Sequence, residues 1–148
     1  MSDHFAEVEW RNAEHPEQTT TYNRDHTVTL ENGIVIANSA APAFLGNATM
    51  SNPETLLLAA LASCHMLTFL AITSKRGFQV NHYYDKAEGT LGKNSEGRMA
   101  LTHCTLRPKI EFSNNIAPSA EELIKFHESS HRNCFIANSL KTKVEIVS

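Results

Sequence analysis

The sequence has few cysteines and no excess of positive charge. Three cysteines among 148 residues are too few for a disulfide scaffold, and an odd number leaves one unpaired in an oxidising compartment. A formal net charge of −3 gives no overall electrostatic attraction to nucleic-acid phosphates or anionic lipids. Residues 1–10 lack the basic segment and apolar run of a secretory signal peptide. We therefore expect a cytoplasmic protein that binds neither nucleic acid nor a membrane.

One long apolar segment is present, residues 55–72, and it contains no Asp, Glu, Lys or Arg. Its 18 residues reach the lower limit for a membrane span. Ser63, His65 and Thr68 interrupt the segment, however, and the rest of the chain has the pattern of strands. A helix that is apolar on every side also forms the buried axis of soluble proteins, which is our prediction here. The chain is long enough for one core, so we expect a single domain over residues 1–148.

Alternation of apolar and polar residues predicts several strands. They lie at residues 6–10, 28–30, 34–36, 78–91, 98–112 and 143–147. The Asn32-Gly33 pair between the second and third strands is a strong hairpin signal. The two longest segments, joined by a turn at residues 92–97, predict a meander.

Capping residues predict a long helix over the apolar segment. Asn52 can cap its N-terminus and a proline follows at the first helical position. Ser51 and Glu54 match a capping box in an overlapping register. The helix is expected to end near residues 75–76, where cations suit the negative end of the helix dipole and Gly77 stops the helix.

A second helix is predicted to begin at the capping box of Ser119 and Glu122 and to end near His131, with a further short turn in residues 134–140. The order strand, strand, strand, helix, strand, strand, helix, strand, with antiparallel turn signals, predicts an α+β fold with antiparallel sheets. One small sheet cannot cover a helix that is apolar on every side. We therefore predict a homodimer in which two copies of the long helix pack at the centre.

Cys64 and Glu54 lie on the long helix, ten residues apart. This spacing falls roughly 80° short of a common face, so the two line one site only with a bend or with a partner helix closing it. Taken separately, Cys64 is interpreted as a small buried hydrophobic residue, and Glu54 as a capping carboxylate. Cys104, on one face of an alternating segment, is interpreted as a core thiol.

Cys134 is different because it begins a short helical turn, after Arg132 and close to two histidines. Cationic neighbours and helix N-termini lower the pKa of a thiol, so we interpret Cys134 as a redox thiol. His127, His131 and Cys134 also have the spacing of zinc ligands on one helix face, with a fourth ligand to come from the long helix. In a third interpretation the two histidines lie on a solvated helix face.

Arg24, followed by Asp25 and His26, precedes the predicted hairpin. Charged and titratable residues at the entry to a strand usually form a solvated corner. An arginine at this position can also fold over a thiolate. The residues alone leave both interpretations open.

In combination these residues resemble the OsmC/Ohr family (osmotically inducible protein C and organic hydroperoxide resistance protein). The resemblance is carried by Asn52-Pro53-Glu54, by the leucine- and alanine-rich segment that follows it and ends in Cys64, and by Cys134 about 70 residues later. A terminal Val-Glu-Ile strand completes it, so it spans nearly the whole chain. It implies an intertwined α+β homodimer with two central helices, which reduces organic hydroperoxides with a pair of cysteines and no cofactor.

Carried over to this sequence, the resemblance implies that Cys64 is the peroxidatic cysteine and Cys134 the resolving one. It places Glu54 at the head of the central helix and lets Arg24 close over the peroxidatic thiolate. It further implies an external dithiol as reductant, such as a lipoylated protein. Phe135 departs from the proline that commonly follows the second cysteine in the family.

A second departure is the loop at residues 43–48, which lacks the glycine richness of many members, so that neither the Ohr nor the OsmC branch fits cleanly. Apolar side chains around the site are expected to favour alkyl or fatty-acid hydroperoxides. The candidates by position are Phe44, Leu45, Met66 and Phe69. The alternative to a peroxidase is a non-catalytic protein of this family that holds a small apolar ligand or a metal at the dimer interface.

Overall fold

A computed structural model of the chain describes the backbone of residues 1–148 and the side chains of residues 1–113 and 115–148. The elements are, in chain order, β1 (Ala6–Glu9), β2 (His26–Leu30), β3 (Val35–Asn38), α1 (Pro53–Lys75), β4 (Val80–Asp85), β5 (Glu88–Lys93), β6 (Met99–Leu106), β7 (Pro108–Phe112), α2 (Ala120–Asn133), α3 (Phe135–Asn138) and β8 (Lys143–Ile146). Long helices and largely antiparallel sheets confirm the predicted α+β class. The chain divides into two compact units, Met1–Leu56 and Leu57–Ser148.

The first unit contains a three-stranded antiparallel sheet in the order β1-β2-β3. Val28 on the central strand pairs with Val8 on one side and with Ile36 on the other. Gly33, in the turn between β2 and β3, has φ of +81°, a conformation in which a side chain would be strained. The predicted hairpin is therefore confirmed.

Helix α1 begins and ends at the predicted residues. The Asn52 side-chain oxygen accepts a hydrogen bond from the backbone N–H of Thr55 at 2.9 Å, which makes Asn52 the cap. At the other end Gly77 has φ of +83°, and the backbone N–H of Phe78 donates to the carbonyl of Thr73 at 3.0 Å. This is the closing hydrogen bond of a left-handed glycine stop.

Helix α1 has two different sides. Its buried residues are Leu61, His65, Phe69 and Thr73, which we call the buried line. Steps of four residues keep these side chains on one face of the helix. Exposed residues with mostly small side chains follow another face, Ala60, Ser63, Leu67, Ala71 and Ser74, which we call the exposed line. Among the described residues α1 is the one helix long and apolar enough to cross a membrane, but its one-sided packing is that of a core helix.

Helix α2 begins at the predicted capping box. Glu122 N–H donates to the Ser119 hydroxyl at 3.2 Å, and Ser119 N–H donates to the Glu122 carboxylate at 2.9 Å. The helix extends to Asn133, two residues beyond the predicted end. The short turn after it is α3, and Cys134 is its N-terminal cap, with its sulfur accepting a hydrogen bond from the N–H of Ala137 at 3.4 Å.

Each of the two long predicted strands is broken in the middle. Residues 78–91 give β4 and β5, and residues 98–112 give β6 and β7, so that β4 pairs with β7 and β5 with β6. At the break the Asp85 carboxylate accepts the backbone N–H of Arg107 at 2.7 Å, and the Arg107 guanidinium contacts Glu88 at 3.2 Å. The pattern of alternation did not reveal this break because apolar residues keep alternating through it.

The last strand is the exception to the antiparallel pairing of the other strands. β8 pairs with β6 in parallel, with Cys104 opposite Val144 and Leu106 opposite Ile146. Parallel pairing requires a long crossover, and here α2 and α3 lie between the two strands in the chain. The pairing places β6 between β5 and β8, at the centre of its sheet.

Candidate active site

Cys64 and Cys134 meet in the core of the second unit. Cys134 is fully buried and belongs to a cluster with Leu61, Cys104 and Leu106, against which the half-buried Cys64 packs. The Cys64 thiol lies close enough to Cys134 to raise the pKa of the Cys134 thiol. All three cysteines of the chain are free thiols. The structure therefore brings together the two cysteines that the family resemblance pairs.

The pKa of Cys134 is raised, contrary to the expectation from its cationic neighbours. Burial is the largest cause and raises it. The hydrogen bond from the Ala137 N–H is the next largest and lowers it, the proximity of Cys64 raises it, and the Ile136 N–H lowers it least. Burial therefore outweighs the helix N-terminus and the nearby Arg132, whose side chain is exposed. The surroundings of Cys134 therefore favour its protonated thiol.

Cys104 is a core thiol, as predicted. Its side chain is 1% exposed, and burial raises the pKa of its thiol. It lies on β6, opposite Gly89 on β5 and Val144 on β8.

Arg24 lies in the first unit, where its guanidinium is held by short local contacts. It stacks over the ring of Tyr22 at 4.0 Å, donates to the Thr21 hydroxyl at 3.1 Å and donates to the Tyr22 carbonyl. The neighbouring Asp25 accepts hydrogen bonds from the Ser39 hydroxyl at 2.9 Å and from the Asn47 amide at 3.2 Å. This segment is an ordered network, so the interpretation as a solvated corner is wrong.

Asp25 is a residue whose role the sequence interpretation missed. Its two carboxylate oxygens fix the loop that precedes α1, and Gly46 in that loop tolerates no side chain. A Cβ at Gly46 would lie 1.6 Å from the carbonyl oxygen of Ala40. Polar residues in the loop were the available signal, but their partner lies 14 and 22 residues earlier in the chain.

Glu54 is the second residue of α1 and does not serve as its cap, because Asn52 does. One oxygen of its carboxylate, Oε2, is buried and has no hydrogen-bond partner among the described residues. Within the same set of residues no ion pair joins Glu54 to Arg24. A buried carboxylate oxygen is costly without a donor, so Glu54 is available to receive one.

Two histidines, one on α1 and one on α2, form a buried pair. Nε2 of His65 and Nδ1 of His127 are 3.1 Å apart, and the rings are stacked with an interplanar angle of 10°. Burial is the largest cause that lowers the pKa of each to about 4. The zinc interpretation is not supported, since no group of three His, Cys, Asp or Glu among the described side chains is placed to hold a metal ion. The solvated-face interpretation is wrong for His127, which is 3% exposed.

The apolar residues expected around the site differ in exposure. Phe69 is fully buried and stacks on His127, with 4.5 Å between ring centroids, so it belongs to the core and does not face a substrate. Met66 is half-buried. Phe135, which follows Cys134, is 81% exposed, and Phe44 is 49% exposed.

Comparison with known proteins identifies a family. A family model described as OsmC-like protein matches residues 46–148, which is more than half of the chain. The chain belongs to the OsmC-like protein family. An OsmC-like protein of unknown function from Vibrio cholerae is 39% identical and has a TM-score of 0.91, with 99% of both chains covered.

Two further proteins are similar to this OsmC-like protein at lower sequence identity. The uncharacterized protein YmaD of Bacillus subtilis is 26% identical over 129 residues, which is 84% of this chain and 83% of YmaD. An organic hydroperoxide resistance protein from Legionella pneumophila has a TM-score of 0.74 at 16% identity, with 99% of this chain and 94% of the other covered. The second likeness shows a shared fold.

Proposed function

We propose that this OsmC-like protein is a thiol-dependent peroxidase that reduces organic hydroperoxides to alcohols. The observation that carries the proposal is the contact between Cys64 and Cys134, a half-buried thiol against a fully buried one. A two-cysteine peroxidase needs one thiol that a substrate can reach and a second thiol within reach of the first. Relatives with the same fold include one named as an organic hydroperoxide resistance protein.

In the proposed reaction Cys64 attacks as a thiolate, since the thiolate is the nucleophile. Its sulfur takes the terminal oxygen of the hydroperoxide, the O–O bond breaks, and the departing alkoxide takes up a proton to become the alcohol. Cys64 is left as a sulfenic acid. The Cys134 thiol then condenses with it, which forms the disulfide and releases water. An external dithiol, such as a lipoylated protein, reduces the disulfide by exchange and is itself oxidised.

Arg24 and Glu54 are the proposed assisting residues. A guanidinium favours a nearby thiolate by its charge and offers a rigid fork of donors that a carboxylate can hold in a bidentate manner. The unpartnered buried oxygen of Glu54 suits that second role. Arg24 already has its guanidinium ordered by Tyr22 and Thr21.

We propose that two copies of the chain assemble through the exposed line of α1, in a cytoplasmic homodimer. Leu67, at the centre of that line, is 59% exposed in the single chain. Its neighbours along the line are alanines and serines, and such small side chains let two helices approach closely. Val8 and Trp10, at the start of the chain, are also exposed in the single chain at 68% and 45%. The single domain over residues 1–148 is thus proposed to complete its core with a second copy.

The proposed activity is tested with reduced protein, cumene hydroperoxide and a dithiol. Cys64→Ser is expected to lower peroxide consumption by at least about a hundredfold, because the covalent nucleophile is lost. In a separate reaction without the dithiol, Cys134→Ser is expected to consume about one equivalent of peroxide and to accumulate a sulfenic acid on Cys64, detected by mass spectrometry after dimedone labelling. Cys104→Ser is the matched control and is expected to retain activity.

Unchanged peroxide consumption in folded Cys64→Ser would contradict the assignment of the nucleophile. A wild-type protein that forms no Cys64–Cys134 disulfide after one equivalent of peroxide would contradict the assignment of Cys134.

A further inference from the structure

The buried histidines join the two helical segments that carry the thiols. His65 directly follows Cys64 on α1, and His127 lies on α2, seven residues before Cys134. Among the described residues their contact at 3.1 Å is the one hydrogen bond between α1 and α2. The two side chains are 1% and 3% exposed, so water does not compete for this contact.

Core stability alone does not account for a pair of this kind. Each neutral imidazole has one donor nitrogen and one acceptor nitrogen, and the shared hydrogen bond uses only one nitrogen of each ring. The outer nitrogens, Nδ1 of His65 and Nε2 of His127, are buried and have no partner among the described residues. An apolar pair of similar size would avoid the cost of leaving them unpaired. What the histidines provide instead is a directional contact that fixes one helix against the other.

Surrounding residues hold His127 in this orientation. Phe69 stacks on its ring at a centroid distance of 4.5 Å, and Tyr83 on β4 packs against Phe69 at 5.8 Å. The titratable groups nearby are His131, which lowers the pKa of His65, and Tyr83, whose own pKa is raised by its burial and by Asp85. With pKa values of about 4, both rings of the pair are neutral at neutral pH. In that state one ring donates and the other accepts.

We propose that His65 and His127 are positioning residues that hold Cys64 opposite Cys134 so that the disulfide between them can form. The inference rests on the proposed function of these two cysteines. A disulfide needs Cα atoms within roughly 7 Å, whereas a slip of one helix by a single turn moves its residues by about 5.4 Å. A hydrogen bond tolerates only a few tenths of an ångström, so it defines the position along the helix more tightly than apolar packing does.

The test compares a variant that removes the hydrogen bond with one that keeps it. His127→Phe retains a ring against Phe69 and loses the hydrogen bond, whereas His127→Asn places an amide where Nδ1 now lies. His82→Gln, at an exposed position on β4, is the matched control. The readout is the equilibrium constant of the Cys64–Cys134 disulfide against glutathione at pH 7, measured by intact-protein mass spectrometry.

For His127→Phe the disulfide is expected to be at least about tenfold less stable, which is about 30 mV for this two-electron couple. His127→Asn and His82→Gln are expected to stay within about twofold of wild type. A folded His127→Phe with an unchanged equilibrium constant overturns the inference. The inference also fails if His127→Asn destabilises the disulfide as much as His127→Phe does. A purely structural role would not be rescued by the amide.

If His127→Phe does not fold, two further measurements test the inference. His65→Met removes the same hydrogen bond from α1 and is measured in its place. In the reduced wild type, nitrogen NMR of the imidazoles at pH 7 should show two neutral rings joined by a hydrogen bond, and rings without that bond overturn the inference. If wild type forms no disulfide, the proposed function fails and this inference with it. If wild type forms the disulfide and His127→Phe is unaffected, only this inference fails.

Discussion

The two faces of α1 differ in what they contact within a single chain. The buried line contacts α2 and the strands of its own unit and carries the large ring of Phe69 and the polar ring of His65. The exposed line has little bulk apart from Leu67 and has water as its neighbour in the single chain. The two faces of this apolar helix therefore have separate roles. One face builds the unit, and the other is available for a second copy.

Cys64 lies at the border between these two faces. At 100° per residue, its side chain is directed between Leu61 of the buried line and Ala60 and Leu67 of the exposed line. This explains why Cys64 is half-buried while Cys134, which it contacts, is fully buried. A thiol at this border is reached from outside and still touches a core thiol. In the proposed dimer it lies beside the contact between the two copies of α1.

The largest effect is expected on the buried line. Phe69→Ala removes a fully buried ring that contacts both His127 and Tyr83, and we expect it to lower the free energy of unfolding by about 3–5 kcal/mol. Urea unfolding followed by circular dichroism measures this. Ile124→Ala on α2, where Ile124 is 53% exposed, is the control and should cost less than about 0.5 kcal/mol. Equal losses in the two variants would mean that the faces do not differ as described.

The exposed line is tested by a charge that the single chain tolerates and a dimer does not. Leu67→Glu places a carboxylate where two copies of α1 are proposed to meet, and burying it unpaired should raise the dimer dissociation constant by about a hundredfold, or about 3 kcal/mol. Light scattering after size exclusion measures the change. Ile124→Glu is the matched control and should remain dimeric. A wild type that is monomeric at micromolar concentration would refute the dimer.

The same helix shows which features the sequence made predictable. Its ends at Asn52 and Gly77 were predictable because a cap and a glycine stop depend on residues within one turn. The alternation of apolar and polar residues likewise predicted most of the sheet residues. The pairing of His65 with His127 was not predictable, because the two lie 62 residues apart and a histidine pattern also fits zinc binding or a solvated face. The raised pKa of Cys134 was missed for the same reason, since burial depends on distant residues and the cationic neighbours are local.

The smallest effect expected concerns pH and again separates the buried line from the surface. The pKa of His65 and of His127 is lowered from 6.5 to about 4 in the folded chain, so the unfolded chain takes up protons first as the pH falls. Stability is therefore highest above pH 6.5 and is lost progressively between pH 6.5 and pH 4. Between pH 7 and pH 5.5 each histidine is expected to contribute a loss of about 1 kcal/mol.

Urea unfolding at pH 7 and at pH 5.5 measures this loss, and the comparison of variants isolates the histidines from other titrating groups. His127→Asn removes one of the two buried rings, so its stability should fall by about 1 kcal/mol less than that of wild type over this range. His82→Gln, on the exposed side of β4, should fall as much as wild type. If His127→Asn is as sensitive to acid as wild type, His127 is not neutral in the folded core. The buried line would then tolerate a charge, and the distinction between the two faces of α1 would rest on shape alone.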